Sequence, residues 1–196
     1  MHWWPADSVF EVVVGAVLTQ NTRWQNVERA IANLREAGRL DPDGILALPE
    51  SELAALIRPS GYFNVKARRL ASLVRFIRGS GGLETLAGWD TPRLRTALLE
   101  VHGIGPETAD DILLYAFGRP VFVVDAYTRR LFARLGWFAE RAPYEELRLH
   151  VEAELGADAG ALNELHALIV EHGKRHCRPR PSCNGCALRE ICTVGG

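Results

Sequence analysis

The sequence predicts an all-α protein in two helical lobes, and three observations carry that expectation. Apolar residues recur at helical spacing in one segment after another, and most segments stop at a glycine or a proline. Only Val121-Phe122-Val123-Val124 reads as a strand, and with no second strand to pair it is expected to be an extended connector.

Taken in order, Asp7 or Ser8 can cap a helix to about Leu18, although Val12-Val13-Val14 would also suit a strand. Val27, Ile31 and Leu34 mark a helix ending at Gly38. Ser51 to Ile57 stops at Pro59, and Val65, Leu70, Leu73, Val74 and Ile77 run to Gly79. Short helices are expected at Leu83–Ala87 and at Thr91–Glu100, the latter with Pro92 in its first turn, followed by Pro106–Phe117. Ala126–Leu135, Tyr144–Leu155 and Ala159–Lys174 complete the set. Asp41-Pro42-Asp43-Gly44 reads as a turn, and the glycines near position 80 as a subdomain boundary.

The chain has 196 residues, 47% hydrophobic and 24% charged, ordinary globular composition that excludes disorder and fibre. Val9 to Leu18, the most apolar stretch, is about half the ~20 residues of a membrane span. Met1 to Asp7 shows neither a basic leader nor a cleavage site, so an intracellular protein is expected.

Net charge is −1, but the charge is unevenly distributed. Arg58 to Ser80 holds six bases and no acid, and His172 to Arg189 five bases and no acid. Glu140 to Glu171 holds eight acids against Arg141 and Arg148. One cationic and one anionic face are expected, solvated helix surfaces being the plainer reading.

Leu99 to Asp110 joins two helices through Gly103 and Gly105, with Ile104 as an apolar plug between them and Pro106 suited to a helix start. Bare N–H groups at such a helix start suit a phosphate oxygen, which points to DNA backbone binding without sequence readout. A dinucleotide fingerprint would need a third glycine where Thr108 stands and a strand before it. A purely structural turn is the other alternative.

Cys177, Cys183, Cys186 and Cys192 form a C-x5-C-x2-C-x5-C loop. Disulfides do not suit an intracellular protein. Four thiolates suit zinc, although only Cys183/Cys186 forms a short knuckle, and they suit an iron–sulfur cluster. So few apolar residues cannot build a core, so metal ligation would order the loop. Asp125, after the apolar Val121–Val124, reads as an N-cap of the next helix.

Together these motifs resemble the helix-hairpin-helix DNA glycosylases of the endonuclease III superfamily. Leu18-Thr19-Gln20-Asn21-Thr22, Arg58 to Ala67, the hairpin, Val124-Asp125 with Arg129-Arg130-Leu131, and the cysteine loop occur in that family's order. The resemblance implies a two-lobed fold with a C-terminal iron–sulfur loop at residues 177–192. Its central domain is 19–120, with the hairpin at about 91–117, and its second lobe is 1–18 plus 121–196. It also implies a 4Fe-4S cluster on the four cysteines, although such loops usually have one more residue between the first two. Its partner would be double-stranded DNA with a flipped damaged base, bound by a cytoplasmic, nucleoid-associated bacterial or archaeal monomer without membrane contact.

Asp125 matches the family's catalytic aspartate, which would stabilise an oxocarbenium-like sugar. Members that also cleave the strand use a hairpin lysine as a Schiff-base nucleophile, and here that position is Glu107. A monofunctional enzyme is implied, with Glu107 shaping the pocket, helping to place water, or simply serving as a first-turn acid. Gly103, Ile104, Gly105, Thr108, Arg178 and Arg180 would meet DNA, and Arg189 with them.

Trp3, Trp4, Pro5, Gln20 and Trp24 are similar to the base pocket of the superfamily's 3-methyladenine glycosylases, with Gln20 filling the hole left by flipping. The tryptophans could equally be core packing. A cationic methylated purine gains from aromatic faces and nearby carboxylates. Trp24 replaces a smaller aromatic, and those relatives lack the cysteine loop. The lysine they place in the pocket from the last helix has only Lys174 or the position of Leu168 as candidates. Alternatives are a glycosylase for oxidised pyrimidines or mismatches, and a non-catalytic binder of distorted DNA.

Overall fold

The computed structural model describes residues 4–195, which are helical with no strand among them. They form two compact units, Trp4–Phe117 and the residues from Gly118 onward.

In the first unit, α1 (Val9–Leu18) is capped by Ser8, whose Oγ accepts from the Glu11 amide at 3.1 Å. Phe10 to Leu18 are all buried and, apart from Glu11, which pairs with Arg35, all apolar or glycine, because the helix is the centre of the core. Tertiary burial overrides the strand preference of its three valines; each valine or leucine so buried contributes about 1.5–3 kcal/mol. Around it stand α2 (Trp24–Glu36), α5 (Phe63–Gly79) and α8 (Pro106–Asp111). This packing puts residues 4–18 with 19–117, where the sequence reading had 1–18 in the second lobe.

Two further readings are corrected. Asp41-Pro42-Asp43-Gly44 opens α3 (Pro42–Leu46), Asp41 Oδ1 accepting from Gly44 N at 2.8 Å with Pro42 in the first turn. The glycines near 80 join α5 to α6 (Leu83–Ala87) within one unit, and the unit boundary falls after Phe117. α4 (Glu50–Leu56) packs on α5, and α7 (Thr91–Glu100) on α8. The helix begun by α8 widens into a π-helical turn over Ile112–Ala116, which carries Tyr115.

In the second unit Val121–Val124 is a buried extended connector leading into α9 (Ala126–Arg134). α10 (Tyr144–Leu155) and α11 (Ala159–Arg175) follow, both packed with each other, and α11 also with α9. At Gly173 a Cβ would overlap the Tyr127 ring, so only glycine allows α9 and α11 this approach.

Candidate active site

In the first unit the hairpin between α7 and α8 is built as expected from its glycines. Gly103 has φ +84°, Ile104 is buried and donates its N–H to Val101 O at 3.0 Å, and extended Gly105 leads into Pro106. Arg95 on α7 grips the fully buried Asp110 on α8 at 2.7 Å, setting the angle between the two helices. Glu107 is exposed in the first turn of α8, while Thr108 is buried.

Gln20 lies against this hairpin. Its amide donates to Gly103 O at 3.2 Å and to Thr108 Oγ1 at 2.9 Å, and its Oε1 accepts from Arg69 Nη1 at 2.6 Å. One turn before Arg69, the buried Lys66 donates to Leu18 O at 2.8 Å and Ser60 O at 2.7 Å. Burial, with the neighbouring Arg69 charge, lowers the Lys66 amine from 10.5 to about 8.

Trp4 and Trp24 come together with a residue that the sequence did not single out. The Trp4 ring meets Trp24 edge-on at 5.3 Å and lies tilted on Tyr115 at 4.9 Å. Pro5 is exposed beside them in the chain, and Trp3 lies outside the described residues.

In the second unit Asp125 N-caps α9, its Oδ1 accepting from Thr128 N at 2.7 Å. Its other oxygen, Oδ2, stands 3.7 Å from Nε2 of His166 on α11, and both side chains are largely buried. Burial pushes the Asp125 carboxyl up, but His166 and the Thr128 amide outweigh it and hold the group below its ordinary 3.8. His166 also meets Phe122 edge-on at 6.2 Å. The sequence reading passed over His166. Its only signal was position, on the stripe shared by buried Leu162, Ile169 and Val170.

The same α9 that carries Asp125 at its start secures the cysteine loop near its end. Arg130 Nε donates to Cys177 O at 2.7 Å, and Arg134 donates to Arg178 O at 2.7 Å, Pro179 O at 2.9 Å and Cys177 Sγ at 3.3 Å. Cys177, Cys183, Cys186 and Cys192 line one cavity, together with His172 and His176. Among the described residues no three histidines, cysteines, aspartates or glutamates converge as ligands of one metal ion. Arg178, Arg180 and Arg189 are exposed, as are Lys174 and Leu168 on α11. No helix is long and apolar enough to cross a membrane among the described residues.

Residues 14–156 match the family described as HhH-GPD superfamily base excision DNA repair protein. The chain belongs to this superfamily. MJ1434 of Methanocaldococcus jannaschii, provisionally named a DNA repair glycosylase, is 50% identical over 97% of this chain and 88% of its own. Endonuclease III of Thermotoga maritima is 34% identical, over 93% of this chain and 82% of its own. Among solved structures, H. pylori 3-methyladenine DNA glycosylase (MagIII) bound to 1,N6-ethenoadenine aligns with a TM-score of 0.76 and 32% identity over 89% of each chain. A trapped endonuclease III–DNA covalent intermediate aligns at 0.83 and 25% identity, over 98% of this chain and 87% of that one. The HhH-GPD chain is thus an endonuclease III-like base excision repair DNA glycosylase, an enzyme that hydrolyses N-glycosidic bonds.

Proposed function

We propose that this glycosylase removes alkylated purines, 3-methyladenine foremost, from double-stranded DNA by hydrolysis, leaving the strand uncut. The observation that carries the substrate is the cluster of Trp4, Trp24 and Tyr115, ring centroids about 5 Å apart in the first unit. Aromatic faces attract a methylated, positively charged base, which also leaves readily without acid help. The likeness to the H. pylori 3-methyladenine glycosylase supports the same choice.

Asp125 is the proposed catalytic carboxylate. Held below its ordinary value, it is ionised at neutral pH and can stabilise the cationic sugar, then accept a proton from the water that adds to it. Its cap bond occupies Oδ1 and leaves Oδ2, on the His166 side, to act. Glu107 offers no amine, so the chain lacks a hairpin nucleophile for an imine, and borohydride should trap no adduct with DNA. Gly103, Ile104, Gly105 and Thr108 of the hairpin, with Arg178 and Arg180, form the proposed DNA contacts, and Gln20 fills the space that the flipped nucleotide vacates.

The four cysteines border one cavity and are the donor set that a 4Fe-4S cluster takes, so they would be its ligands; Arg134 donates toward one of the sulfurs. The cluster would order residues 177–192 and hold their arginines. A brown preparation with about four irons per chain is expected; a colourless one holding stoichiometric zinc refutes the assignment.

The deciding experiment is a panel of duplexes, each with one lesion, incubated with enzyme and then treated with alkali. Cleavage at alkylated purines is expected. Release of thymine glycol alone would replace this reading with an oxidised-pyrimidine specificity. If Asp125→Asn leaves base release intact while binding persists, the carboxylate has no catalytic part.

A further inference from the structure

We propose that Arg69 is a positioning residue that locks Gln20 against the hairpin, and that Gly103, whose φ of +84° already favours glycine, also leaves room for the Arg69 stem. The inference rests on the reading of Gln20 as the side chain that fills the gap in the duplex.

Arginine has only donors, so the atom of Gln20 facing Arg69 at 2.6 Å must be the amide oxygen. That choice turns the amide nitrogen toward two acceptors, Gly103 O and Thr108 Oγ1. The charge-assisted bond to Arg69 and the acceptor-only Gly103 O therefore favour the same amide orientation. Without Arg69 the amide oxygen loses its charged partner, and the side chain keeps only its two bonds to the hairpin.

The space for this arrangement comes from Gly103. A Cβ built there would overlap Arg69 Cγ and stand 2.6 Å from Cδ and 2.8 Å from Nε. The arginine stem therefore crosses the bare face of the hairpin to reach Gln20. The main chain of the same loop is held separately, by Lys66 on Leu18 O, just before the turn in which Asn21 adopts a left-handed φ of +53°. From one face of α5, two cations one turn apart fix the loop, Lys66 by its backbone and Arg69 by its side chain. Gln20 is thus ordered before DNA arrives, and that ordering entropy is not charged to the complex.

The test compares Gln20→Ala, Arg69→Ala and the double variant. Single-turnover base release is measured on a methylating-agent-treated duplex. Binding is followed by 2-aminopurine fluorescence opposite an abasic-site analogue. Each single variant is expected to lower base release about tenfold, the size of one lost charge-assisted hydrogen bond, and the double variant to fall no further. The fluorescence change on binding should weaken in all three. Gly103→Ala should be damaging in the parent and less so in the Arg69→Ala background, where the stem is gone.

If Arg69 instead touched a phosphate, its loss would add to that of Gln20 and reduce the salt slope of binding by about one; that result overturns the proposal. So does an Arg69→Ala enzyme with parental rate and fluorescence beside an impaired Gln20→Ala. An unimpaired Gln20→Ala removes the gap-filling role itself, and the proposal with it.

Discussion

Nε2 of His166 stands 3.7 Å from Oδ2 of Asp125, while Oδ1 of the same carboxylate caps α9. At that distance the two form an electrostatic contact rather than a short hydrogen bond. Burial alone would raise the Asp125 carboxyl, and His166 is the foremost of the groups that bring it below 3.8. In the parent the midpoint of the acid limb that the proposed Asp125 carboxylate would give should lie below 3.8. Replacing His166 by Leu removes the foremost of the lowering influences, so the acid limb of the single-turnover rate should move to higher pH. The linked stability has the same sign: it is present above 3.8 and is lost as pH falls through the native value. Coincident pH profiles for parent and His166→Leu would show that the imidazole does not govern the carboxylate.

Lys66 makes the opposite prediction. Its amine titrates at about 8 in the native protein and at 10.5 in the unfolded chain. Below pH 8 it is charged in both states, and folding bears the cost of burying it beside Arg69. Between about 8 and 10.5 the unfolded chain binds more protons, so native stability should rise with pH. The neutral amine keeps two N–H groups for Leu18 O and Ser60 O. Lys66→Met leaves both carbonyls unpaired and should be less stable at every pH, by roughly 1–3 kcal/mol per acceptor. The gap between parent and variant, measured by urea unfolding, should widen from pH 8 to pH 10. A constant gap would rule out the depressed titration.

What could be read in advance follows the range of the interactions. Helix limits were legible because Ser8 and Asp125 cap their own helices and glycines or prolines end others. The hairpin was legible for the same reason, since Gly103 and Pro106 act on the backbone beside them. Arg69 and His166 were not, because each acquires its meaning from a residue about 40 or more positions away. The π turn at Ile112–Ala116 was also hidden, since its residues have an ordinary helical pattern. At Asp41-Pro42-Asp43-Gly44, cap chemistry and turn chemistry use the same residue types, and the cap won.

Arg134 gives a prediction about the cysteine loop that does not depend on what the loop binds. Its guanidinium meets the carbonyls of Arg178 and Pro179 and the sulfur of Cys177, three groups in consecutive residues. From the same helix Arg130 donates to Cys177 O. Arg134→Ala should therefore free the start of the loop, and limited trypsin digestion should cut after Arg175 or Arg189 several times faster than in the parent, whereas Arg178 and Arg180 precede prolines and are not trypsin sites. Cleavage elsewhere should keep its parental rate. Equal loop cleavage in both proteins would mean that Arg134 merely rests on the loop.

Gly15 separates stability from base recognition. It lies inside α1, where alanine would be favoured over glycine by about 1 kcal/mol. An added Cβ would stand 3.1 Å from Trp4 Nε1 and 3.2 Å from Cζ2, so the indole must give way by a few tenths of an ångström. The helix gains while the ring loses its seat against Trp24 and Tyr115. Gly15→Ala should then melt no lower than the parent yet release alkylated purines more slowly, the loss falling on base affinity more than on the bond-breaking rate, because the Asp125 carboxylate is untouched. If the variant is as active as the parent, Trp4 is packing for α1 and takes no part in holding the base.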